Sequence, residues 1–263
     1  MNTTLRKFRI QEMTWKEVQE ALDHGVKTVF IAVGANEQHG PQTPLGEDTF
    51  LGQEIAERTA RKLGDALVAP PISIGCSRHH MEFAGTISFR TTTLMNIVLD
   101  YFTSLEYHGF ENIVFIQQHG GNAPAMQSVI EDLNWDAATA RVLHIVPWRY
   151  VSASFGTLYG VERGFHANDV ETSLMLAVRP DLVDMSKASP AVVERPDLFH
   201  VDSRILQQMH APYTPGRGGL KLISDSGAFG HPEEADKEYG EKLLEDISTN
   251  LAHDLRKIID NSV

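Results

Sequence analysis

The run Thr28-Val29-Phe30-Ile31-Ala32-Val33 constrains the fold most tightly. It is apolar and β-branched almost throughout, with no polar alternation, so it has no face to give to water. Such a run reads as a strand buried on both sides, as in a parallel sheet covered by helices. Three more strands follow: 66–72, running into Pro70-Pro71, then 112–117 and 141–146. Helical segments separate them. Residues 47–63 carry Phe50, Ile55, Ala56, Thr59, Ala60 and Leu63 along one side and close at Gly64. Residues 91–108 stop at Gly109, and a further helix with Pro124 in its first turn reaches Trp135. Strand and helix alternating through four cycles predict an α/β chain with a mostly parallel central sheet and helices on both faces.

The flanks fit the same plan. A short amphipathic helix spans 14–22, with Thr14 as N-cap and His24-Gly25 as its end. Residues 148–164 are aromatic and glycine-containing without a period, a loop that could cover a site. A helix is expected over 168–178, a Pro- and Gly-punctuated stretch that could include a β-arm over 180–232, and a long helix over 233–259. No repeat or linker divides the 263 residues, so residues 1–263 are expected to form one domain.

Charge and composition narrow the function. The formal charge of −12, with no run of basic residues, argues against a nucleic-acid surface. No apolar run approaches the length of a membrane span, and the N-terminus leads into no signal core. The single cysteine, Cys76, allows no internal disulfide, which fits the cytoplasm. As a nucleophile Cys76 is weaker than the reading of a half-buried thiol.

Chemistry concentrates at strand ends. The first strand runs into Gly34-Ala35-Asn36-Glu37-Gln38-His39-Gly40-Pro41, and Asp48 follows in the first turn of the next helix. The third strand ends in Gln118-His119-Gly120-Gly121-Asn122. His166 and Glu171 lie five residues apart at a helix start. Carboxylate with imidazole suits zinc, manganese or iron. Parallel strands also bring such ends to one edge of the sheet. Each group has a plainer reading: a solvated turn for Glu37 and His39, a dipole-favoured acid for Asp48, a hydrogen-bonded strand end for His119. Arg78, His79 and His80 could bind substrate or lie in a solvated loop. His144 reads as a satisfied core histidine, and Trp135 and Trp148 as packing residues.

Together these stretches resemble the creatininase (creatinine amidohydrolase) family. The resemblance rests on Val33 to Pro41, on Pro44-Leu45-Gly46-Glu47-Asp48, on Gly85-Thr86-Ile87-Ser88, on His119-Gly120-Gly121-Asn122 and on His166-Ala167 with Glu171-Thr172-Ser173. It implies a three-layer α/β/α fold, a homohexamer and a site with two divalent ions, zinc and/or manganese, with iron possible. Glu37 and His119 would bind one ion and His39 the other, with Asp48 bridging. Glu171 would join the second ion or act as an acid or base, and His166 would shuttle protons. Creatininase itself takes a further carboxylate two residues after the strand-end histidine, where this chain has Gly121. It also carries a tyrosine where Gly120 stands and a lid tryptophan absent from 159–165. The implied activity is hydrolysis of a C–N bond in a small cyclic amide. Alternatives inside the family are deformylation of an N-formyl aminopyrimidine, ring opening of a dehydro-inosose and small-peptide proteolysis. Outside it stand a two-metal phosphoesterase and a non-catalytic metal-binding subunit.

Overall fold

The computed structural model describes residues 7–136, 139–159, 163–191 and 219–260. Thr28–Val33 forms β1, and every residue of it is buried. Its neighbours explain why. Ala66–Val68 (β2) pairs with it on one side and Asn112–Gln117 (β3) on the other, both parallel. Arg141–Ile145 (β4) pairs parallel with β3, giving the order β2-β1-β3-β4.

Alternate residues of the sheet feed two cores. Val29, Ile31 and Val33 join Ile113 and Phe115 in one core. It is closed by Trp15–Asp23 (α1), Thr91–Tyr107 (α3) and Ala123–Asp136 (α4) through Leu22, Leu94, Val98, Phe102, Met126 and Val129. Phe30, Val114 and Ile116 face the other core, against Glu47–Leu63 (α2), Asp169–Val178 (α5) and Lys237–Asp260 (α6). The result is an α/β/α sandwich. Each large side chain fully buried in these layers contributes about 1.5–3 kcal/mol of transfer free energy.

Local signals set the element ends. Thr14 and Glu17 form a reciprocal capping box at the start of α1. Gly64, at φ +80°, ends α2 in the left-handed conformation that glycine adopts at little cost. Asn168 caps α5 by accepting from Val170 N and Glu171 N, both at 3.1 Å.

Some boundaries differ from the sequence expectation. The second strand stops at Val68, because Pro70 and Pro71 cannot donate to a ladder; Ile72 rejoins Val33 by one isolated bridge. The final helix begins at Lys237, after a single turn at Pro232–Glu234. Trp135 does not pack: it is 89% exposed on the outer side of α4, whose inner face is taken by Met126, Val129, Ile130 and Leu133. Most of the expected β-arm, residues 192–218, lies outside the described residues. What is described returns beside the site, where Phe229 bridges His166 and Gly230 bridges Ala191.

The strand order matters for position. The chain passes from β1 to β2 on one side, then crosses to β3 on the other. Open α/β sheets bind ligands where the order reverses, beyond the strands' C-terminal ends. Here that point lies between the ends of β1 and β3.

Candidate metal centre

Beyond β1 the chain turns through Gly34. A Cβ there would lie 2.6 Å from the backbone of Thr49, so glycine lets the first turn of α2 sit directly on the end of the strand. This delivers Glu47 and Asp48 to the same place as Glu37 and His39. Asn122, after β3, ties the loops together: its Oδ1 accepts from Cys76 N at 2.8 Å and its Nδ2 donates to Gly34 O at 2.9 Å. His119 is thereby held beside the first motif. Gly121 leaves no room for a side chain, since a Cβ would run into Cys76 O and His119 Nε2.

His166 and Glu171 arrive from the start of α5. Ala167 between them adopts φ +51°, rare for a residue with a Cβ. Its N–H donates to Glu171 Oε2 at 2.5 Å. Tyr159, half-buried, donates from Oη to Glu171 Oε1 at 3.2 Å.

All six residues expected at a site converge. Glu37 Oε2 lies 3.1 Å from His119 Nε2, and Asp48 Oδ2 lies 3.2 Å from His119 Nδ1 and 3.8 Å from His39 Nε2. Asp48 therefore stands between the two histidines. His166 Nδ1 is 4.0 Å from Glu37 Oε1, and its ring is 4.4 Å from that of His39. His39, Glu47 and Glu171 bring one ligand atom each within 4.8 Å of one another, as do Glu37, His39 and His166, and Glu37, His79 and His119.

Three residues that sequence reasoning left out of the site, or left open, belong to it. His80 Nε2 lies 3.1 Å from Glu37 Oε1. His79 stacks on His119 with ring centroids 5.7 Å apart. Glu47 Oε2 lies 3.7 Å from His39 Nε2. The His79-His80 pair was visible as a proton-active loop, but only docking of that loop against Gly219–Leu222 turns it inward; a Cβ at Gly219 would strike His79 O. His144 lies outside, hydrogen-bonded through Nε2 to Gln117 Oε1 at 2.9 Å. Cys76 is half-buried, and burial pushes its thiol up, away from nucleophilic character.

The electrostatics fit a cation. Four carboxylates, from Glu37, Glu47, Asp48 and Glu171, are buried together, and among the described residues no lysine or arginine pairs with any of them. Burial pushes Glu37 up to about 8. Burial, then Asp48, pushes Glu171 up to about 8. Burial, then Glu171 and Asp48, drives Glu47 well above its ordinary value. Asp48 is the exception: against burial, His39 and His119 hold it at about 2. Burial opposes charge on His119 too, but Glu37 and Asp48 lift it to about 9. His39, His80 and His166 are held below their ordinary value, mainly by burial. Both oxygens of Glu37, Glu47 Oε1 and Asp48 Oδ2 lack a hydrogen-bond partner although buried. Imidazole nitrogens come within 3.1–3.2 Å of Glu37 and Asp48, but out of hydrogen-bond alignment. Leaving such oxygens unmet is costly. Oxygen and imidazole donors converging on one space suit a divalent ion of the zinc or manganese type. The residues present fit such ions.

Fold and site together define an α/β/α protein with a buried, metal-capable carboxylate–imidazole centre at the sheet's switch point. The family model described as creatinine amidohydrolase matches residues 11–255. The chain therefore belongs to the creatininase family, and it is a creatininase-family hydrolase. It is 29% identical over 269 residues to the creatinine amidohydrolase of Pseudomonas putida, covering 94% of this chain and 96% of that one. It is 27% identical over 240 residues to the mycofactocin precursor peptide peptidase of Mycolicibacterium smegmatis, covering 88% and 85%. The 3-dehydro-scyllo-inosose hydrolase of Thermotoga maritima is 28% identical over 271 residues, covering 90% and 82%. Among solved structures, a manganese form of creatininase superposes with a TM-score of 0.77 at 26% identity, covering 96% of this chain and 98% of that one. A mutant creatininase of Zn–Zn type gives a TM-score of 0.76 at 26% identity, with the same coverage. Among the described residues no helix is long and apolar enough to cross a membrane.

Proposed function

We propose that this chain is a two-metal amidohydrolase that cleaves a C–N bond in a small cyclic amide. The observation that carries the reading is the convergence of Glu37, His39, Asp48 and His119, with buried carboxylate oxygens that no lysine or arginine meets among the described residues. In this reading Glu37 and His119 would hold one ion and His39 the other, Asp48 would serve both, and Glu171 would stand beside the second. Zinc and manganese are favoured by the donor set and by the metal forms of the similar structures. When bound, such ions supply Lewis acidity toward a carbonyl and lower the pKa of water.

The chain's own residues do the rest. Gln38 fixes the proton shuttle. Its amide nitrogen lies 2.8 Å from His80 Nδ1, 3.1 Å from Gly227 O and 3.1 Å from His166 Nε2. The shorter contact of His166 Nε2 is to Gln38 O, at 2.8 Å, and a carbonyl only accepts, so the ring hydrogen is assigned to Nε2. Nδ1 is left with a lone pair turned toward Glu37, where it can take a proton from water and pass it to a leaving nitrogen. His80, accepting at Nδ1, keeps its hydrogen on Nε2, which lies 3.1 Å from Glu37 Oε1 but out of hydrogen-bond alignment. Tyr159 and the Ala167 N–H hold Glu171 in place.

A relative named as a peptide peptidase supports one second reading, cleavage of a peptide C–N bond. Ring opening of a dehydro-inosose is a third outcome. The test is a panel of creatinine, an N-formyl aminopyrimidine, a dehydro-inosose and short peptides, run on protein loaded with manganese or zinc. Hydrolysis of a cyclic amide is expected. Turnover of the inosose or of peptides alone would replace that substrate class, and no metal-dependent turnover of any of them would contradict the assignment.

A further inference from the structure

We propose that Glu47 is a direct carboxylate ligand of the ion held by His39. The proposal rests on the two-metal reading above and adds a residue to it.

Glu47 opens α2, where an acidic side chain would ordinarily be explained by the helix dipole alone. That explanation suits a solvated carboxylate, and Glu47 is 1% exposed. Its Oε2 lies 3.2 Å from Thr43 Oγ1, whose single hydrogen has a closer acceptor in His39 O, and its Oε1 meets no hydrogen-bond donor. No lysine or arginine pairs with it among the described residues; the imidazole beside it is that of His39, with Nε2 at 3.7 Å. A buried carboxylate with one oxygen, Oε2, beside an imidazole and the other, Oε1, unmet is a costly arrangement unless a cation shares the space.

Position favours Glu47 over the other carboxylate nearby. His39, Glu47 and Glu171 bring ligand atoms within 4.8 Å of one another. Both oxygens of Glu171 already accept hydrogen bonds, from Ala167 N and Tyr159 Oη. Glu47 has the uncommitted oxygen. His39 is in turn fixed for the task, its Nδ1 lying 3.2 Å from Glu37 O, so that Nε2 faces Glu47 and Asp48. Consecutive residues at the start of α2 thus both reach the same ion: Asp48 toward both histidines, Glu47 toward His39 alone.

The test is metal binding to full-length protein, by chelator competition with manganese and zinc, comparing wild type with Glu47→Gln and Glu171→Gln. Glu47→Gln keeps the shape and the Thr43 contact but gives up the charge. It is expected to weaken the second ion at least tenfold while the first binds as in wild type. Glu171→Gln is expected to weaken it less. Unchanged affinity for both ions in a folded Glu47→Gln protein would overturn the proposal. Should that variant not fold, crystals of manganese-loaded wild type decide: a Glu47 oxygen in the first coordination sphere supports the proposal, and one beyond it overturns it. If wild type itself binds no divalent ion, the two-metal reading fails and takes this proposal with it.

Discussion

The Nε2 hydrogen of His166 is committed to the backbone carbonyl of Gln38, 2.8 Å away. That bond points Nδ1 into the centre, 4.0 Å from Glu37 Oε1. If this nitrogen moves protons, His166→Asn should lower kcat by about 10²–10⁴-fold and leave metal content unchanged. Steady-state kinetics with elemental analysis checks both halves. Loss of an ion in the variant would instead make His166 a ligand.

Asp48 sits between the two strand-end histidines, with one oxygen 3.2 Å from His119 and 3.8 Å from His39. If the centre takes two ions that share Asp48, as proposed, Asp48→Asn should abolish activity and tight binding of one of them. The same elemental analysis reads the outcome. Two tightly held ions in the variant would remove the bridge.

Gln38 depends on a glycine distant in sequence. Gly227, at φ +81°, lies so close that a Cβ would strike the Gln38 side-chain amide. Gly227→Ala adds left-handed strain of about 1–2 kcal/mol and displaces an amide that serves His80 and Gly40 N. Thermal denaturation should show a destabilisation of about 2 kcal/mol or more, with reduced activity in the surviving folded protein. A neutral substitution would mean that Gln38 does not anchor the network.

Stability of the metal-free protein should fall as pH rises from about pH 7 to about pH 9. Folded Glu37 and Glu171 titrate at about 8 and His119 at about 9. Their unfolded counterparts release protons near ~4.3 for carboxyls and ~6.5 for imidazole. Across this window the folded state therefore holds protons that the unfolded chain lacks, and each such proton costs about 1.4 kcal/mol of stability per pH unit. His39, His80 and His166 are shifted the other way and change charge below this window. Saturating manganese should flatten the slope, because the carboxylates then meet an ion instead of a proton. Melting curves at several pH values, with and without metal, read this directly, and a metal-free profile flat in this range would contradict it.

The sheet was legible because its strands are self-declaring. Buried runs such as 28–33 and 112–117 carry no alternation, and both appear with the boundaries the sequence suggests. The helix 47–63 was legible for a different reason, its glycine end. Glu37, His39, Asp48, His119, His166 and Glu171 were legible because strand ends in a parallel sheet share an edge. Glu47 was not, because the reading took one inward residue in that first turn, while close packing on Gly34 turns two inward. His79 and His80 depended on a loop docked by a turn some 140 residues later, at Gly219–Leu222, which no local pattern encodes. Trp135 misled because a tryptophan in a helix suggests burial, while the angular position of 135 on α4 lies off its apolar stripe.

The most direct measurement is electron paramagnetic resonance of the metal-depleted protein titrated with Mn(II). Two ions sharing the Asp48 carboxylate should give the multiline signal of an exchange-coupled pair at full loading. Isolated six-line Mn(II) spectra at every loading, or free Mn(II) alone, would contradict a bridged two-metal centre in this chain.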